Sequence, residues 1–157
     1  MNNPQQALEH LLTQELATLA VLKAILDEES SALLADNAES LEQITERKNN
    51  AIAAHAAQQT QRVQWMASAG IPSNAGLTDA VAIAGSTPRL ESLRADLTSL
   101  AEECAGLNRH NGGLIRRLQE RTQGALNILR GNENHGDVYS LSGAKAPQGG
   151  SRTLGKA

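Results

Sequence analysis

Apolar residues recur through the first third of the chain at three- and four-residue steps. Leu8, Leu12, Leu19, Leu22, Leu26 and Leu33 make the stripe, and Leu11, Leu16, Ile25 and Leu34 widen it. This spacing predicts a helix from Pro4, at home in a first helical turn, to about Asp36. Asp36 or Asn37 then offers a cap for the next helix, with Glu39 three residues after Asp36 as in a capping box. A second stripe reads Leu41, Ile44, Lys48, Ile52, His55, Arg62 and Met66, with Ala51, Ala54 and Val63 beside it. It predicts a helix over 38–69, and so short a connection makes the two an antiparallel hairpin. Gly70, Pro72, Gly76 and Gly85 mark a linker over 70–87, in which Leu77 to Ala84 is apolar enough for a short helix behind a Thr78 cap.

Ser86-Thr87-Pro88 supplies a cap and a proline for the first helical position. The stripe that follows keeps heptad steps: Leu90, Leu93, Leu97, Leu100, Cys104, Leu107, Asn111, Leu114 and Leu118, drifting onto Thr122, Leu126 and Leu129. It predicts a third helix over 88–130, ended by Gly131. The expected architecture is all-α, a hairpin plus a third long helix in a coiled-coil-like up-down-up bundle over 1–130. Residues 131–157, glycine-rich and polar, are expected to be a flexible tail. At about 1.5 Å per residue the hairpin helices reach roughly 50 Å and the third roughly 65 Å. The C-terminal end of the third helix is then left without an intramolecular partner, and exposed stripes of that kind mark interaction sites.

Composition narrows the classes. Hydrophobic residues are 40% of the chain but aromatics only 1%, which disfavours layered β architectures. Fourteen basic residues against 17 acidic give a net charge of −3, the wrong balance for nucleic-acid binding. A single cysteine, Cys104, leaves no internal disulfide and fits a reducing, cytoplasmic setting. No apolar run approaches the roughly 18 residues of a membrane span. His10, His55, His110 and His135 stand in no metal-ligand spacing, and no phosphate-cradling glycine motif occurs. The sequence therefore predicts no catalytic site, metal or cofactor.

Three polar residues sit on apolar stripes. Glu29 and Lys48 lie at comparable distances from the hairpin turn. They either pair and fix its register or each extend to the rim. Asn111 occupies a core heptad position, where asparagine sets register or partner choice unless the bundle frays there. Arg109, Arg116, Arg117, Arg121 and Arg130 are a solvated face or a basic rim for an acidic partner segment. Gly112-Gly113 either softens the helix or allows close helix approach.

Leu107-Asn108-Arg109-His110-Asn111-Gly112-Gly113-Leu114-Ile115 is similar to the Leu-Asn-x-x-Asn-Gly-x-Leu signature of FlgN-type flagellar export chaperones. Leu22, Glu29, Leu33, Ile44 and Lys48, the Ala125–Leu129 run, and Tyr139 and Gly143 before a basic end agree with that family. The resemblance implies a cytoplasmic chaperone that holds the C-terminal helices of hook-filament junction proteins and brings them to the flagellar type III export gate. By the resemblance, cargo is bound by Asn108, Asn111, Gly112, Leu114, Ile115, Leu118, Ala125, Leu126 and Leu129. Tyr139 corresponds to the residue that docks on the gate's large membrane subunit. The competing reading is a structural coiled-coil adaptor or homodimeric spacer.

Overall fold

A computed structural model describes residues 3–72 and 74–143, with side chains as far as Gly131. The chain forms four helices, α1 (Pro4–Leu34), α2 (Ala38–Ser68), α3 (Leu77–Ala84) and α4 (Pro88–Gly143), and no strand occurs among the described residues. Two units can be distinguished, Met1–Ile115 and Arg116–Ala157.

The helix ends follow local chemistry. Asn3 accepts the Gln5 N–H at 3.0 Å, and Pro4 opens α1. At the other end Asp36 adopts a left-handed conformation with φ 56°. Asp36 N–H reaches Leu33 O at 3.4 Å and Asn37 N–H reaches Ala32 O at 3.1 Å, the two bonds of a Schellman motif. Asn37 then caps α2, its side chain accepting from Ser40 N–H at 3.3 Å. The cap is thus Asn37, and Asp36 lies in the turn itself. Gly70 closes α2 in the same way, with Ile71 N–H on Met66 O at 2.9 Å and both side chains in one small cluster. The short helix α3 starts at Leu77 behind Gly76, whose N–H donates to Asp79, so Thr78 is inside the helix and not its cap. Thr87 caps α4 by accepting Leu90 N–H at 3.1 Å.

Within residues 1–115, α2 runs antiparallel to α1, and α4 returns parallel to it. Two bonds between α4 and α1 share a sequence offset of 85, from Cys104 to Leu19 O and from Asn111 to Leu26 O. The buried positions Leu8 and Leu12 stand at that same offset from Leu93 and Leu97, as parallel helices in one register require. Leu8, Leu12, Leu19, Leu26, Leu90, Leu93, Leu97 and Cys104 form the main core with Val81 of α3. Ile25, Ala32, Ile44 and Ala51 make a second cluster beside the hairpin turn.

Two further expectations change. Ile52 is 47% exposed and Val63 is also exposed, while Ala51 is buried. The inner seam of α2 steps through 44, 48, 51, 55, 58 and 62, so position 52 is turned about 100° away. The second change is at Gly131, which does not end α4; the helix continues to Gly143. One exposed glycine weakens a helix by about 1 kcal/mol, and no proline follows to forbid the next turn.

Candidate functional site

The α1–α2 seam carries two ion pairs in one register. Arg62 Nε donates to both carboxylate oxygens of buried Glu15, at 2.9 and 3.1 Å, and its Nη1 contacts Met66 Sδ at 3.6 Å. Fourteen residues along α1, buried Glu29 accepts from Lys48 Nζ at 2.5 Å. In both pairs the residue numbers sum to 77, the signature of a single antiparallel register. Between them Thr18 Oγ1 donates to Glu15 O at 2.8 Å and lies 3.0 Å from His55 Nδ1. With that hydroxyl proton engaged, His55 Nδ1 is the donor to Thr18 Oγ1. On the solvent side Arg47 holds Glu28 by two bonds, at 2.6 and 3.1 Å. The hydrogen bond from that guanidinium keeps the Glu28 carboxyl below its ordinary range.

Asn111 joins the third helix to this seam. It is 0% exposed, and its Nδ2 donates to Leu26 O at 2.9 Å and to Glu29 Oε2 at 2.8 Å. Glu29 therefore receives Lys48 of α2 on one oxygen and Asn111 of α4 on the other. One turn pair earlier, Cys104 Sγ lies 3.7 Å from Leu19 O, and burial pushes its thiol up.

The expected contact residues thus separate. Glu29 and Lys48 are brought together. Asn111 is buried, with its Nδ2 engaged inside the bundle. Asn108 is exposed, and Gly112, Leu114, Ile115 and Leu118 are half-buried. A Cβ built on Gly112 or Gly113 would meet nothing within 4 Å, so neither glycine is required by close packing within the chain. Glu15 is a site residue the apolar stripe alone does not reveal; its 14-residue spacing from Glu29, matching that of Arg62 from Lys48, is the signal for it.

Residues 116–131 of α4, taken by themselves, present Ala125, Leu126, Ile128 and Leu129 to solvent, with Ile128 67% exposed. At 100° per residue, Leu118, Ala125 and Leu129 share one face, with Leu126 and the unanticipated Ile128 on its two edges. Four arginines, Arg116, Arg117, Arg121 and Arg130, against Glu120 alone make this length basic. Tyr139 and Gly143 lie in the helical backbone of α4, but the Tyr139 side chain is outside the described residues, as are Lys145, Arg152 and Lys156.

A groove of about 400 Å³ opens over Glu15, Leu19, His55, Arg62, Leu97, Ala101 and Glu102. Of its charged groups, Glu15 and Arg62 engage each other. Among the described residues no group of three or more histidine, cysteine or acidic side chains could hold a metal, and no helix is long and apolar enough to cross a membrane.

The family model described as FlgN protein matches residues 1–147. The chain belongs to the FlgN family. No curated protein and no solved structure matches it. Membership carries the coarse reading of a flagellar export chaperone, a binding protein of the flagellar system. The match covers the Asn-Gly signature, the basic length of α4 and Tyr139 together.

Proposed function

We propose that this FlgN-family protein is a cytoplasmic chaperone for the C-terminal helical segments of flagellar hook-filament junction proteins, which it delivers to the type III export gate. The observation that carries the reading is the apolar edge of α4, Leu126, Ile128 and Leu129, left exposed on a helix whose earlier leucines are core residues. An amphipathic cargo helix laid there gains apolar burial, the helix-in-groove mode of recognition. The arginines beside it favour a cargo helix with acidic flanks. By the family resemblance, Asn108, Gly112, Leu114, Ile115, Leu118 and Ala125 also belong to the cargo-binding residues. Tyr139 is the docking residue for the gate's large membrane subunit, separate from the cargo stripe.

Calorimetry with the C-terminal fragment of a junction protein tests the proposal. The expected result is one-to-one binding between micromolar and high nanomolar, since a transport chaperone must also release. Leu126→Ser with Leu129→Ser should weaken it at least about tenfold, the size of losing anchor contacts. Tyr139→Ala should leave this affinity unchanged while impairing export. Failure to bind any junction fragment, together with a stable homodimer by light scattering, would replace the proposal with a structural spacer.

A further inference from the structure

Among the described residues, Asn111 is the last buried residue of α4, and two glycines follow it directly. We propose that Asn111 is a latch that fixes the register of α4 on the hairpin, and that Gly112-Gly113 is the soft joint at which the helix opens locally. The inference concerns residues 104–118 and needs no partner, so it stands or falls apart from the chaperone reading.

The chemistry of Asn111 points to position more than to stability. Its two neighbours, Leu26 O and Glu29 Oε2, are both acceptors, so the Nδ2 edge must face them. That leaves Asn111 Oδ1 buried without a hydrogen-bond partner among the described residues. A leucine here would continue the heptad and bury no unpaired oxygen. What asparagine adds is direction: it bonds a backbone carbonyl of α1 and a carboxylate that α2 also holds through Lys48. A one-residue slip of α4 would break both bonds at once. Buried polar groups of this kind specify register at a cost in stability.

The two glycines have the opposite character. Each is roughly 1 kcal/mol poorer than alanine in a helix interior. Neither is demanded by close packing, since an added methyl group would meet no neighbour within 4 Å. The two glycines thus directly follow a residue held by two hydrogen bonds. Local opening starts at Gly112 and is stopped at Asn111, which frees half-buried Leu114, Ile115 and Leu118 without disturbing the core.

Amide hydrogen exchange on the free full-length chain tests this. In the natural sequence, protection should be high over 97–111 and drop sharply over 112–118. Gly112→Ala with Gly113→Ala should slow exchange over 112–118 by about thirtyfold, the effect of two such replacements. Asn111→Ala should carry the low protection back to Cys104 while α1 and α2 keep theirs. Where Asn111→Ala does not fold, Glu29→Gln is read over the same amides and should raise exchange over 104–111. Unchanged exchange over 112–118 in the alanine pair would overturn the joint. Unchanged exchange over 104–111 in the Asn111 or Glu29 variant would overturn the latch.

Discussion

Glu15 and Arg62 are nearly buried together, and the energetics of such a pair are asymmetric. Removing one partner leaves a charge without its counter-ion in a low-dielectric site; replacing both with apolar residues removes the desolvation cost as well. Glu15→Ala should therefore lower the unfolding free energy by about 3 kcal/mol, whereas Glu15→Leu combined with Arg62→Leu should cost less than about 1 kcal/mol. Urea titrations of the two variants check this, and equal losses would refute the pairing argument. The exposed pairs behave differently with pH. Arg47 lowers the Glu28 carboxyl, and Ser86 followed by Arg94 lowers that of Glu91. A lowered folded-state value means their contribution is present above the ordinary carboxylate range and is lost as pH falls through the folded value. Glu28→Gln with Glu91→Gln should flatten the acid limb of a melting-temperature profile, and the difference from the natural chain should shrink in high salt. At Cys104, burial pushes the thiol up, so a thiol-reactive dye at neutral pH should label it slowly in the native chain and rapidly in urea.

The α2 seam illustrates how element-scale register decides what a residue contributes. Ile44 and Ile52 are the same side chain eight residues apart, but Ile44 packs with Ile25 and Ala51 while Ile52 faces outward. Ile44→Ala should cost about 2–4 kcal/mol by core truncation, and Ile52→Gln should stay within about 0.5 kcal/mol. Chemical denaturation of both variants measures the contrast. From sequence, α1 and the first half of α4 were legible because their leucines outnumber every alternative at three- and four-residue steps. α2 was harder, since Ala51 and Ile52 both satisfy helical spacing and hydrophobicity favours the wrong one. The ion pairs decide it: with Lys48 and Arg62 turned inward to Glu29 and Glu15, position 52 must turn out. Asn111 was legible as a core position, but its partner was not, because a bond to Leu26 O depends on the offset between α1 and α4. Gly131 misled for a local reason, being a good stop signal only where something after it disfavours helix.

At the scale of the whole molecule, the buried residues and the proposed apolar contact edge at Leu126, Ile128 and Leu129 fall on different lengths of the same chain. All buried residues described lie between Leu8 and Asn111, and the first unit ends at Ile115. Exposed Leu126, Ile128 and Leu129 and the cluster of arginines lie beyond it, and the family match runs through to 147. A chain ending at Ile115 keeps the Glu15–Arg62 and Glu29–Lys48 pairs, the Asn111 bonds and the three core clusters described. It should therefore melt in one cooperative transition within about 4 °C of the full chain, the shift that about 1 kcal/mol produces at this size. The same truncation removes Leu118, Leu126 and Leu129, so it should show no heat of binding with a junction-protein fragment that the full chain binds. The two measurements separate the ideas. Loss of the cooperative transition would mean that residues 116–157 help hold the bundle; retained binding would move the cargo surface back onto α1, α2 or the early part of α4.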